Sequence, residues 1–382
     1  MSERRWASVK GVPSPVASAL DALRFRNPSQ PESATEALDF LDRNQLTLIF
    51  GNACEVPALR QRLDRNLQGN RLRLKRLHTE YEAIAAALER AGVEHVVLKG
   101  FSHGVDFLPD PTLRAHYDLD LLVPPDQLEA ARRAISGLGF ETPHPQHGRP
   151  IDHAAPMVRK TDWQWRNDYF DPNIPAVVEL HYRTWDAETE GFQIPELTAH
   201  NRFRYAAAHA LRHLLRGNLK AFHIYELAYF LHQGGETSDI GPHQAIICDL
   251  AQRWFSCDLP DPANKAVAAL PIAVRNWLEH YWASPIAAQF RPNKDELWLH
   301  FELVSPRAAR WRIARRRLFP SRLPDPLHGV AKPPESVVTR AIGYSSFLAR
   351  RSTFHLQSLA RFAWGVVTWT NTRGRHPTVP RA

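Results

Sequence analysis

Two short segments decide the fold of this chain: residues 93–98, VEHVVL, running into Lys99-Gly100-Phe101-Ser102, and residues 118–123, DLDLLV. The first is short and β-branched, the signature of a buried strand that ends in a glycine turn. The second holds Asp118 and Asp120 two apart between leucines. The period-2 geometry of a strand puts both carboxylates on one face and Leu119 and Leu121 on the other. Pro124-Pro125 ends this strand. Asp126 is then placed to cap a helix whose apolar face is Leu128, Ala131, Ile135 and Leu138, with Gly139 closing it. A further strand is predicted at 176–182, AVVELHY, where Val177, Glu179 and His181 share a face. Strands alternating with helices mark residues 91–186 as a compact α/β unit.

Outward from this unit the patterning is helical. Leu74, Leu77, Tyr81, Ile84 and Leu88 recur at spacings of about 3 and 4, one apolar helix stripe that Gly92 terminates. Residues 1–30 mix Pro, Ser and charge and read as a loose leading segment. After Thr198 come AAAHALRHLL, FHIYELAYFLHQ and a series of Trp- and Arg-rich helices, with a Pro-rich connector at 320–336 and a frayed tail after Thr372. The expected fold class is α+β: a small mixed-sheet core (91–186) between a helical N-terminal region (1–90) and helical C-terminal regions (187–320, then 321–382).

Composition narrows the function. The 382 residues are 44% hydrophobic and 23% charged, which excludes a collagen-like repeat and a chain disordered throughout. Three scattered cysteines, Cys54, Cys248 and Cys257, supply neither a disulfide framework nor a thiolate zinc site, and fit a reducing compartment. No apolar run reaches the ~18 residues of a membrane helix, and MSERRWASVK lacks the apolar stretch of a secretory signal, so a cytoplasmic protein without membrane partners is expected. The formal charge of +8 favours anionic partners. Of the 48 basic residues 40 are Arg, the better phosphate clamp, although genomic base composition can produce the same skew.

The acidic pair on an otherwise apolar strand carries the chemistry. Two carboxylates facing a sheet core each cost several kcal/mol unless a cation compensates. Mg²⁺, with its preference for oxygen ligands and its tolerance of substrate phosphates, suits the pair. Glu179 joins as a third acid if its strand neighbours that of the aspartates. The turn after the first strand supplies phosphate-binding candidates: Gly100 for close backbone approach, Ser102 through its hydroxyl, Lys99 and Arg114 through charge. Lys99 can equally be solvated at a strand end, and Arg114 can equally be a structural partner of an acid. His181, beside Glu179, is expected to support the acids by hydrogen bonding rather than to ligate.

The order LKG, R-x-x-x-D-x-D-L-L-V, a helix ending in GLGF, and VELH resembles the uncharacterised nucleotidyltransferase family of the DNA-polymerase-β-like superfamily. The resemblance covers residues ~91–186 well and the helices at ~199–233 more loosely. It implies a phosphate-binding turn at Gly100 and Ser102, a metal pair at Asp118 and Asp120, and a third acid at Glu179, with two Mg²⁺ ions. The turn here is KGFS where the superfamily has glycine-glycine-serine. An acid in the second helix is also implied, with Glu226 the nearest candidate. The implied reaction is in-line transfer of a nucleoside monophosphate from an NTP to a hydroxyl of an unknown acceptor, a small molecule, sugar, peptide or RNA, with release of pyrophosphate. The alternative is a catalytically silent nucleotide- or nucleic-acid-binding protein on the same fold.

Other features have plainer readings. His209 and His213 lie four apart on a predicted helix, but Ala-Leu-Arg between them departs from HExxH and no third ligand is evident, so a surface or packing role is expected. His144, His147 and His153 form a loose, incidental cluster. The Arg-rich run with Arg307, Arg310, Arg312, Arg315, Arg316, Arg317 and Arg322, beside Trp311 and Phe319, reads as a solvated helical face. Nucleic acid is therefore possible as a partner but not favoured. Trp163, Trp165 and Trp185 are expected to pack rather than to stack a base.

Overall fold

The computed structural model describes residues 5–142, 152–195, 197–237, 239–291, 293–305, 307–318 and 336–374. Five short strands form one mixed sheet: β1 (Val96–Val97), β2 (Asp118–Leu122), β3 (Phe140–Glu141), β4 (Met157–Arg159) and β5 (Val177–His181), in the spatial order β1-β2-β5-β4-β3. β2 and β5 run parallel at the centre, and the other pairs are antiparallel. The register sets Asp118 opposite Val177 and Asp120 opposite Glu179.

Four helices precede the sheet: α1 (Ser14–Ala22), α2 (Ala34–Arg43), α3 (Thr47–Ala53) and the long α4 (Arg60–Arg90). α5 (Gly100–His103) follows β1, α6 (Leu128–Ser136) follows β2, and α7 (Ala187–Glu190) follows β5. Then come α8 (Arg202–Arg216), α9 (Ala221–His232), α10 (Pro242–Phe255), α11 (Asp261–Ala268), α12 (Ile272–Tyr281), α13 (Ser284–Ala287), α14 (Glu296–Leu303), α15 (Arg307–Leu318) and α16 (Val337–Thr372).

The two faces of the sheet differ because the strands alternate. Leu119 and Leu121 of β2 and Val178 and Leu180 of β5 are buried with Leu77, Ile84 and Leu88 of α4 and Ala131 and Ile135 of α6. This is the stripe that the heptad-like spacing of α4 predicts, and burying it holds the long helix on the sheet. The opposite face carries Asp118, Asp120, Glu179 and His181.

A second, larger apolar core joins the early helices to the late ones. The leading segment is part of it, not a loose lead-in: Trp6 is fully buried, and its indole donates to the Trp254 carbonyl at 3.0 Å. α8 bridges the two halves. Its Ala207, Ala210, Leu211, Leu214 and Leu215 enter this core. His209, His213 and Arg216, at helical spacing on its other side, with Arg212, face a cavity against the sheet. Among the described residues no helix is long and apolar enough to cross a membrane.

Candidate active site

A cavity of about 450 Å³ lies between the polar face of the sheet and the facing ends of α8 and α9. Lys99, Arg114, Asp118, Glu179 and His181 line it from the sheet side, and His209, Arg212, His213, Lys220 and His223 from the helix side.

On the sheet side the parallel register does what the sequence could only make conditional: it sets Glu179 directly beside Asp120. Lys99 reaches across from the end of β1, its Nζ 2.6 Å from Asp120 Oδ1 and 3.8 Å from Glu179 Oε2. His181 Nε2 lies 2.9 Å from the same Asp120 oxygen and 3.7 Å from Glu179 Oε2. The ligating atoms of Asp120, Glu179 and His181 are mutually close enough to share one cation. Asp118 stands outside that tight trio but lines the same cavity. His181 therefore touches both acids directly, and its other nitrogen lies 3.9 Å from Asp152, which pairs in turn with Arg212.

The charges settle accordingly. Burial raises the Asp118 carboxyl, Asp120 and Glu179 push it further, and it reaches about 7 in spite of Lys99 and Arg114. Burial acts on Glu179 in the same sense, but the His181 hydrogen bond and Lys99 outweigh it and hold Glu179 below the usual carboxylate range. Burial opposes the Lys99 charge, and Asp120 and Glu179 overcome that to hold its pKa above the ordinary lysine value. For His181, burial and Lys99 disfavour protonation, and its hydrogen bonds to Asp120 and Glu179 prevail and raise it. For Asp152, Arg212, His153 and His181 overcome burial and bring the carboxyl down to about 2.

This arrangement fits a divalent cation. Three acids on one face leave one of them, Asp118, with a strongly raised pKa, and the single ammonium between Asp120 and Glu179 occupies the place where positive charge is most favoured. Lys99 is held there by a backbone with φ 56° and ψ −146°, a sparsely populated conformation that costs a non-glycine residue about 1–3 kcal/mol and that clusters at functional sites.

The turn after β1 is built differently from a simple phosphate cradle. Ser102 Oγ donates to the Lys99 carbonyl at 2.7 Å, so the hydroxyl braces the strained turn. Gly100 is buried under the Arg114 guanidinium, and a Cβ there would overlap it. Arg114 pairs with Glu226 of α9 and lies 4.6 Å over the Phe222 ring. Glu226 is buried and also faces His103 at 3.8 Å, so the acid of the second helix anchors Arg114.

On the helix side, α8 ends at Gly217 with φ +73°, and α9 starts four residues later. This tight connection brings His223 against His209 and His213. His223, Asp152, Arg212 and Lys220 were not singled out from the sequence. The i, i+4 pair His209/His213 was the available signal, and its partner depended on how two helices meet.

Elsewhere, Arg310, Arg316 and Arg317 of α15 bond to Val304, Glu188 and Glu296, while Trp311 is exposed. Arg322, Phe319, His144 and His147 lie outside the described residues. Trp163 and Trp165 donate to Asp171 and Asn167, and Trp185 is buried.

The family described as uncharacterised nucleotidyltransferase matches residues 47–246, just over half of the chain, from α3 into α10 and including the whole sheet and both walls of the cavity. No curated protein and no solved structure matches the chain.

Proposed function

Because the chain belongs to the uncharacterised nucleotidyltransferase family, we propose that it is a Mg²⁺-dependent enzyme that moves a nucleoside monophosphate from an NTP to a hydroxyl of an acceptor, a small molecule, sugar, peptide or RNA. The observation that carries this reading is the register of Asp120 beside Glu179 on parallel neighbouring strands, with Asp118 two residues earlier on the face that lines the cavity.

Asp118, Asp120 and Glu179 would hold the metal ions. When bound, Mg²⁺ would supply charge neutralisation and polarisation of the triphosphate. The protein's own groups do the rest. Lys99 and Arg114 lie beside the acids and offer positive charge to phosphate oxygens, with Lys220 on the far wall. Ser102 holds the Lys99 turn, and Gly100 lets Arg114 approach. His181 fixes the orientation of Asp120 and Glu179. Glu179, kept ionised, can accept a hydrogen bond from the acceptor hydroxyl and orient it for attack.

The rival reading is a silent nucleotide- or nucleic-acid-binding protein. One observation favours it: the Lys99 ammonium already neutralises Asp120. Incubation with each NTP and Mg²⁺ separates the two. Pyrophosphate release or self-labelling that disappears in Asp120→Asn supports transfer. Salt-sensitive binding of nucleotide or RNA without turnover supports the rival and overturns transfer.

A further inference from the structure

The helix-side wall holds a constellation that the transfer reading does not use. His209 and His213 sit one turn apart on α8, and their Nε2 atoms share a hydrogen bond at 2.9 Å, whose proton a metal ion would replace. Two imidazoles bound tetrahedrally at Zn–N distances of ~2.0–2.1 Å would bring their nitrogens to about 3.3 Å, so the pair is close to that spacing before any ion is added. The ring of His223, in the first turn of α9, lies 4.7 Å from that of His213 and 5.3 Å from that of His209. The ligating atoms of all three fall within 4.8 Å of one another.

The surroundings orient this trio. Asn218 Oδ1 lies 3.1 Å from His213 Nδ1, so that nitrogen donates and Nε2 keeps its lone pair; a carbonyl oxygen on the non-ligating nitrogen is the usual support of a metal-bound histidine. The Lys220 amide N–H donates to His223 Nδ1 at a long 3.4 Å, so this nitrogen carries a lone pair. Burial, reinforced by nearby positive charges, holds all three imidazoles neutral at pH 7, with His213 at about 3. Three of the neighbouring cations are neutralised, Lys99 by Asp120, Arg212 by Asp152, and Arg216 by Glu190 at 2.7 Å, while Lys220 adds positive charge beside His223.

We propose that His209, His213 and His223 form a binding site for one divalent transition-metal ion of the zinc class, with a fourth coordination position open to the cavity. Three neutral nitrogens select such an ion over Mg²⁺, which prefers oxygen ligands. An open fourth position is the arrangement in which zinc holds a water or a substrate oxygen. The site does not rest on nucleotidyl transfer, because its ligands belong to the wall opposite the acids.

The test is titration of the metal-stripped, full-length protein with Co²⁺, followed by its visible absorption, and then competition with Zn²⁺. One equivalent of Co²⁺ giving a tetrahedral spectrum and displaced by Zn²⁺ is expected, beside any Co²⁺ that the acids take up without that spectrum. The His213→Ala/His223→Ala variant loses this spectrum, while Asp120→Asn/Glu179→Gln keeps it. Asn218→Ala retains every ligand and the fold, and its affinity falls by roughly 10- to 100-fold, as for other outer-shell partners. Absence of saturable Co²⁺ or Zn²⁺ binding by the folded wild-type protein overturns the site. So does binding that survives in the histidine variant and vanishes in the carboxylate variant.

Discussion

One cavity has two chemically opposite walls, and they were built by different means. The sheet wall presents oxygen: Asp118 and Glu179 line the cavity, and the buried Asp120 lies beside Glu179, braced by Lys99 and His181. The helix wall presents nitrogen: His209 and His213 on α8, and His223 across a tight connection on α9. On the sheet, a two-residue period and a backbone register fix the side chains. On the helices, the meeting of two side-chain stripes depends on where α8 stops, which Gly217 decides. A strand wall is thus specified locally, whereas a helix wall is specified by a turn.

The largest effect expected is the separation of these walls by Asp120→Asn. The variant keeps the shape of the side chain and the Asn oxygen facing Lys99 and His181, so the fold should survive. Pyrophosphate release should fall by roughly 10³-fold, the upper range for removing one electrostatic element of an active site, while Co²⁺ binding by the helix wall is retained. Turnover within tenfold of wild type would break the division between the walls and the transfer reading with it.

Next in size is the acid sensitivity of the histidines. His103, His116, His209, His213, His223 and His300 all have lowered pKa values, chiefly through burial, His300 to about 4. Well above pH ~6.5 neither the folded nor the unfolded state binds these protons. As the pH falls below 6.5 the unfolded chain takes them up first, so their contribution to stability is present at pH 7.5 and declines toward pH 4. Asp118 and His181, whose pKa values are raised, act in the opposite sense and add stability as the pH falls. Between pH 7.5 and 5 the His209→Gln/His213→Gln/His223→Gln variant should therefore lose less urea midpoint than the wild type. The same pH profile in variant and wild type would show that the folded protein does not hold these three imidazoles neutral.

How far the molecule could be read from sequence follows the same division. The central strands, the long helix α4 and the α+β class were legible because hydrophobic period reports burial directly. Residues 93–98 shrink to a two-residue β1, and β3 and β4, too short to show a period, were not predicted. Trp6 was unreadable for another reason: its partners Trp254 and Trp282 are some 250 residues away, and no local pattern encodes such a contact. At the site, Asp118 and Asp120 announce themselves by spacing, but the neighbouring of Glu179 and Asp120 is a pairing, not a motif. His223 was hidden because only the α8–α9 turn brings it to its partners.

A smaller effect is expected at Gly100. Its hydrogen is all that fits beneath the Arg114 guanidinium. Gly100→Ala should push Arg114 off Glu226 and cost about 1–3 kcal/mol, the usual range for overpacking. Denaturant unfolding gives the stability change, and NTP KM should rise because Arg114 is displaced, with Co²⁺ binding at the histidines unchanged. Wild-type stability in this variant would mean that Arg114 is free to lie elsewhere.

The smallest effect separates two uses of one hydroxyl. Ser102 Oγ donates to the Lys99 carbonyl at 2.7 Å, so under the proposed function any effect of Ser102 on NTP binding would run through the turn that aims Lys99 at Asp120. Ser102→Ala should lower stability by about 1 kcal/mol, the ordinary net value of one hydrogen bond. NTP KM should then rise by about threefold or less, since the Lys99 ammonium remains pinned by Asp120 and Glu179. A tenfold rise in KM, about 1.4 kcal/mol, without loss of stability would mean that the hydroxyl leaves Lys99 for the phosphates. The sheet wall would then rearrange on binding, and its contrast with the helix wall would be one of motion as well as of chemistry.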